Sequence, residues 1–196
     1  MARPLAFDPQ EKLHQAMLLF WRKGYEATSM QDLVDALHIN RFSLYNTFGD
    51  KEALYQQVIQ YYRKHVFGHL EARLQPASDG LPRLFDYLDA LYDGLGRQPG
   101  PWGCLLQNSV MYRDAFSPSL QAQVDEFIQV LHGHVLAIMK AARHLDQVPK
   151  NQSPEELADF VVTHIQGLLM ISKSCPPDVL KNSISVLRGF LAFGSG

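Results

Sequence analysis

Cysteine, long apolar runs, a surplus of basic charge and strand-like alternation are all scarce or missing in this 196-residue chain. Each absence removes a class of function. The two cysteines, Cys104 and Cys175, lie far apart with no CxxC or mixed His/Cys ligand spacing, which excludes a disulfide framework and a zinc site of familiar type. Both are expected to be thiols. No run approaches the roughly eighteen apolar residues that a membrane helix needs, and "MARPLAFDPQ" has no continuous apolar stretch of the signal-peptide kind. The expectation is a cytoplasmic protein with no membrane partner. A nucleophile elbow, a phosphate loop and a metal-binding signature are also lacking. An enzyme using His132 or His164 as base and Cys104 as nucleophile therefore has no supporting pattern, and neither catalysis nor a cofactor or metal is expected. Formal net charge is −2, from 18 basic and 20 acidic residues. Nine basic and eight acidic residues fall at or before Gln75, and nine and twelve after it. Charge alone does not ask for a polyanion, so a nucleic-acid reading has to come from pattern.

Helical periodicity is what the chain does have. With 46% hydrophobic residues it can bury a sizeable core, and apolar positions recur three and four residues apart almost throughout, which predicts an all-α fold. The first helix should start near Pro9, carry Leu13, Ala16, Met17 and Phe20 inward and stop at Gly24. Thr28 with Gln31 reads as a capping box for a second helix of about three turns, buried through Leu33, Val34 and Leu37 and ending near His38. Asn40 is a natural N-cap for a short third helix over 41–47 that points Leu44 and Phe48 inward. Asp50 caps a long connector reaching about Leu74, with Leu54, Val58, Tyr61 and His65 on one face. "QPASDGLP" is the clearest linker. Beyond it, helices are predicted over 81–95, 103–113 and 118–145, then one opened by Pro154, Glu155 and Glu156, and a last one after Pro176-Pro177. The division by function is 1–50 as a headpiece and 51–196 as connector plus body.

Two short helices joined by a three-residue turn, the second preceded by a capping Asn, are the parts of a helix-turn-helix. Such a unit lays its second helix in the major groove, where side chains near its N-terminus reach base edges. The outward residues of 41–47 suit that surface. Arg41 can fork onto guanine, Asn46 can pair with adenine, and Ser43, Tyr45 and Thr47 can donate to phosphate. Lys51 stands in the first turn of the next helix, a poor place for a cation by the helix dipole, and a nearby phosphate would account for it. The candidate DNA contacts are Thr28, Arg41, Phe42, Ser43, Tyr45, Asn46 and Lys51.

Residues 10–55, above all "ATSMQDLVDALHINRFSLYNTFGDKEALY", resemble the N-terminal domain of the TetR family of one-component transcriptional regulators. The shared pattern is a Thr/Ser-capped helix, a turn, then roughly S-x-G-[ST]-[LI]-Y-x-x-F followed by [SDN]-K-E-x-L. It is met at Asn40, Ser43, Leu44, Tyr45, Phe48, Asp50, Lys51, Glu52 and Leu54. His38 departs from it, standing where the turn usually has Gly, so a left-handed backbone is expected there at some cost. Phe42 departs as well, replacing a small residue; its ring either meets a thymine methyl or lies across the neighbouring helix. The resemblance implies a homodimeric regulator, most simply a repressor, of palindromic double-stranded operator DNA. It also implies a small-molecule effector in the C-terminal domain and a four-helix dimer interface from the last two helices.

On that reading Phe160, Val161, His164, Leu168, Ile184, Leu187 and Leu191 are the candidate dimer contacts. Trp102, Cys104, Met111, Tyr112, Phe127 and His164 are the candidate effector-pocket residues, with walls drawn from residues 85–170. Two readings of Cys104 stand. It follows Gly103 where a short helix opens, and a helix N-terminus can lower a thiol pKa; some TetR-like regulators carry a Gly-Cys-Leu element beside the pocket, a few of them electrophile- or redox-responsive. A free Cys is also a small hydrophobe suited to packing. His65 and His69, at i and i+4, lack a third ligand and read as a polar face.

Overall fold

A computed structural model of the protein describes residues 7–192, with no strand among them. Part of the N-terminal stretch read above as unlike a signal peptide, residues 1–6, lies outside the described residues.

Local chemistry sets the helix ends. The Asp8 carboxylate accepts from the Gln10 amide and Pro9 opens α1 (Pro9–Lys23), where its missing N–H costs nothing. Gly24, at φ 86°, closes the helix by returning its amide to the Phe20 carbonyl. The second helix, α2 (Met30–Leu37), is capped one residue later than expected: the reciprocal box is Ser29 with Asp32, not Thr28 with Gln31. Thr28 is instead fully buried, and its hydroxyl donates to the Gly24 carbonyl at 2.6 Å. His38 does take the left-handed conformation, φ 52° and ψ 39°, at the end of α2. Asn40 caps α3 (Arg41–Phe48) by accepting from the Ser43 amide at 2.8 Å, and Asp50 caps α4 (Lys51–Tyr62) through the Ala53 amide at 2.8 Å. The two caps leave room for a helix of two turns and no more.

The connector runs on past α4 through a π-helical turn (Arg63–Phe67), α5 (Gly68–Glu71) and a 3-10 turn (Ala72–Leu74). Its inward face is Leu54, Tyr55, Val58, Ile59 and Tyr62 rather than a stripe through Tyr61 and His65, which is exposed. Several partners explain this: α1, α7 and α8 all pack on α4, so the buried arc is wider than a single stripe.

The body comprises α6 (Leu81–Gly96), α7 (Leu105–Val110), α8 (Pro118–His144), α9 (Pro154–Ile171) and α10 (Pro177–Ala192). α8 is its axis, 27 residues or about 40 Å long. The first turn of α6 has no local side-chain cap; Gln147, just past α8, accepts from the Leu81 amide at 2.8 Å and ties the two helices together. Gly80 is required at that crossing, since a Cβ there would meet the same Gln147 side chain. α9 starts at a Ser153–Glu156 capping box and lies along α8, burying Leu157, Val161, Ile165 and Leu168.

Candidate nucleic-acid interface and junction cavity

Leu44 and Phe48 are buried against the headpiece core and orient α3, with Ser43 and Thr47 half-buried beside them and the other four residues exposed. Phe42 is 76% exposed and Tyr45 42%, with Arg41 and Asn46 also exposed and Ser43 half-buried. The Arg41 guanidinium sits 5.8 Å from the Tyr45 ring centroid, one helical turn on. The structure therefore brings Arg41, Phe42, Tyr45 and Asn46 onto one open surface. Phe42 lies across no neighbouring helix. Thr28, in contrast, is buried and its hydroxyl already engaged, so it drops out of the set of groups able to touch DNA. Thr47 is only half-exposed, and its hydroxyl is buried with no partner among the described residues. Lys51 has an internal neighbour: its ammonium stands 4.2 Å from the Tyr25 ring centroid. Burial lowers its pKa, against the pull of Glu26. Tyr25 itself is pushed up to about 12, by burial first and then by Glu52, Glu26 and Asp50, so it stays neutral beneath the cation.

Headpiece and body share a seam of polar and aromatic contacts. The Tyr55 and Ser109 hydroxyls bond at 2.8 Å inside it, and Glu52 accepts from the Ser117 amide at 3.2 Å. Tyr25, Tyr55 and Phe116 pack ring on ring. Beside this seam lies a cavity of about 260 Å³. Trp21 of α1 forms one wall, and Val66 and Phe67 of the π turn, Leu91 and Leu95 of α6, and Leu169 of α9 form others. The Trp21 indole donates to the Gly103 carbonyl at 2.9 Å and stacks edge-on against Tyr62 and Trp102, with centroids at 5.0 and 5.6 Å. At the closed end the Tyr62 hydroxyl donates to the Cys104 sulfur at 3.7 Å. His69 and Arg73 are exposed at the mouth, and Asp86 holds the Arg73 guanidinium.

Headpiece and body each match a known domain, in the expected order. The family described as bacterial regulatory proteins of the tetR family matches residues 13–58, and the tetracyclin repressor-like C-terminal domain matches residues 80–176. The chain belongs to the TetR family. It is a helix-turn-helix transcriptional regulator. Among its relatives is the HTH-type transcriptional repressor ComR of Escherichia coli K12, 28% identical over 167 residues, 85% of this chain and 80% of ComR. A regulatory protein TetR from Rhodobacter sphaeroides shares the fold with a TM-score of 0.79 at 18% identity, over 93% of this chain and 97% of that one. A cysteine mutant of the TetR family regulator CifR, solved with 26-bp double-strand operator DNA, superposes with a TM-score of 0.71 at 25% identity, over 95% and 98% of the two chains.

The remaining expected sites of this TetR-family chain are redistributed by the structure. Of the six effector-pocket candidates only Cys104 lines the cavity. Trp102 backs Trp21, Met111 is 65% exposed, and Tyr112 stands near Gly24 of the headpiece. Phe127 packs edge-on against Phe67, and the His164 ring nitrogen lies 3.2 Å from the Ser183 hydroxyl. Cys104 is buried, and burial pushes its thiol pKa up despite amide contacts from Leu106 and Gln107 at the start of α7. That is a packed thiol rather than a thiolate. Trp21, Tyr62 and the π turn were not legible as pocket residues, because the cavity is assembled from segments that sequence separates widely. The one available signal was Trp21 itself, a large ring one position off the buried stripe of its helix.

Among the dimer candidates, Val161, Leu168, Ile184, Leu187 and Leu191 are buried within the chain's own core. Phe160, also among the candidates, is exposed, and with Met170, Val179, Val186 and Phe190 it leaves α9 and α10 with open apolar side chains. Phe160 and Phe190 meet at 5.2 Å across the two helices. Gly167 and Gly189 are exposed in the same two helices, where an added Cβ would meet nothing.

Proposed function

We propose that the chain is a homodimeric repressor that grips a two-fold-symmetric operator through α3 and releases it when a small molecule occupies the junction cavity. The observation that carries this reading is the outward surface of α3. A helix anchored by Leu44 and Phe48 leaves Arg41, Phe42, Tyr45 and Asn46 free, with an aromatic ring exposed that has no role in the monomer's packing. Arg41 and Asn46 supply the hydrogen bonding for base edges, Phe42 the apolar contact for a thymine methyl, and Tyr45 and Ser43 the hydroxyls for phosphate. Lys51 and the N-terminus of α4 lie beside them for the backbone. On this reading residues 1–50 are the DNA-binding unit and 51–196 the connector, effector and dimer unit.

On this reading the second copy packs on α9 and α10. Large apolar side chains stand open on both helices, and glycines beside them let two backbones come close. A helix-dense interface of this kind sets the two recognition helices at a fixed separation. Half-sites about 34–36 Å apart, or a multiple of that, are then expected. Release follows if the liganded cavity favours a different seam between headpiece and body, by as much as the ligand prefers that state.

Selection of bound duplexes from a random pool by the full-length protein tests this. Enrichment of an imperfect palindrome at that spacing is expected. An enriched site without two-fold symmetry, or no enrichment above random duplex, would overturn the reading.

A further inference from the structure

We propose that the junction cavity takes an amphipathic carboxylate, whose apolar body, one ring or a short chain, lies inside while its anionic head stays at the mouth on His69 and Arg73. This rests on the cavity being a ligand site, as read above, and names what enters it.

The interior offers a molecule apolar surface and little else. Trp21, Val66, Phe67, Leu91, Leu95 and Leu169 line it, and the donors among its walls are engaged within the protein. The Trp21 indole and the Gln98 amide both donate to the Gly103 carbonyl at 2.9 Å, and the Tyr62 hydroxyl donates to the Cys104 sulfur. A charged or strongly polar group on the ligand would lose its water there without gaining a partner. The polar end of a ligand therefore belongs at the mouth. A volume of about 260 Å³ is below the roughly 300–1,000 Å³ of drug-sized sites, so the body is a single ring or a short chain.

At the mouth the chemistry changes. His69 and Arg73 both line the cavity, both are exposed, and they stand four residues apart along the connector, which puts them on one side of it. His69 has no hydrogen-bond partner among the described residues. Asp86 reaches Arg73 through Nη1 alone, at 3.1 and 3.3 Å, which leaves Nε and Nη2 of the guanidinium without a partner among the described residues. Two nitrogens on one edge of a guanidinium are the complement of a carboxylate. No carboxylate lines the cavity among the described residues, so an ammonium head would find no counter-charge in its walls. Asp86 offsets part of the Arg73 charge, which keeps the expected gain near that of a partly exposed ion pair. Because Trp21 belongs to α1, the body of a bound molecule would touch the DNA-binding unit itself.

Titration calorimetry on the full-length protein tests the assignment with three probes that share one body: 3-phenylpropanoate, 3-phenylpropanamide and 3-phenylpropylamine. The carboxylate is expected to bind about fivefold tighter than the amide, the scale of a partly exposed ion pair, and the amine more weakly than either. Arg73→Gln should remove most of that advantage, and the His69→Gln/Arg73→Gln double variant all of it, with the amide unchanged in both. Gly94→Leu adds a side chain to the cavity wall where an added Cβ meets nothing, and it should weaken carboxylate and amide alike. Equal binding of carboxylate and amide, tighter binding of the amine, no saturable heat from any probe, a carboxylate advantage that survives the double variant, or unchanged binding in Gly94→Leu would each overturn the proposal. Release of the selected duplex is scored separately. Arg73-dependent carboxylate binding that leaves the duplex bound supports the ligand class and counts against the cavity's role in release. Release by the amide at lower concentration than the carboxylate supports that role and overturns the class, so the two readings fail by different results.

Discussion

Phe42 and Thr28 show how far side-chain chemistry alone can be trusted. A Thr before a helix suggests an exposed cap, yet Thr28 is buried and satisfied by Gly24, because the neighbouring Ser29 serves the cap equally well and sequence offers no way to choose between adjacent hydroxyls. Phe42 was ambiguous for the opposite reason: a ring in a recognition helix can fold back or stand out, and here it stands out. Phe42→Ala should leave thermal stability within about 0.5 kcal/mol while altering the base preference at one operator position; an unchanged selected sequence would deny it a contact. The cysteines make a second contrast. Cys104 is buried with its pKa raised and Cys175 is half-exposed, so iodoacetamide should label Cys175 in the native protein and reach Cys104 only on denaturation. Mass spectrometry of timed samples distinguishes this from a sensor thiol, which would be modified first.

At the scale of elements, what is local in sequence was legible. Caps at Asn40 and Asp50, the helix start at Pro154, the stop at Gly24 and the left-handed His38 are decided by residues within four positions of one another, and the structure has them where the pattern puts them. The π turn at Arg63–Phe67 was not legible. It interrupts a stretch whose composition suits an ordinary helix, so no local signal marks it. The register of the α2 cap can be tested directly. Ser29→Ala should cost about 1 kcal/mol, within the 0.5–2 kcal/mol usual for a lost N-cap, whereas Gln31→Ala, whose amide only reaches Asp35, should cost a few tenths. Chemical denaturation of the two variants would reveal the reverse order if Thr28 and Gln31 formed the box.

For the whole molecule, the two things hardest to foresee were which apolar residues remain open and where the cavity lies. Val161, Leu168 and Leu187 have the same helical spacing as residues of an interface, and only the packed chain assigns them to its own core. Charges therefore separate the two groups. A Phe160→Glu/Phe190→Glu double variant should stay folded, sediment as a monomer and lose operator affinity at nanomolar protein; Val161→Glu should unfold, since it leaves an unpaired charge at a fully buried position. A folded Val161→Glu monomer would reassign the interface. The same face carries a pH dependence. Burial lowers the His164 pKa, partly offset by Ser183, so the unfolded chain takes up a proton first as pH falls. Stability contributed at this residue is intact above about pH 6.5, the ordinary His value, and declines as pH drops below it until the folded form is protonated too. Melting curves between pH 7.5 and 5 should show a steeper acid-side decline for the parent than for His164→Gln.

The two tryptophans have a consequence for how this regulator can be watched. Trp21 and Trp102 are the whole complement in the chain, and they sit 5.6 Å apart where headpiece meets body. All of its indole emission thus originates at one contact between headpiece and body. Light collected from the unlabelled protein is a gauge of that contact, and a spectral change on adding DNA or a small molecule would report that it had been altered.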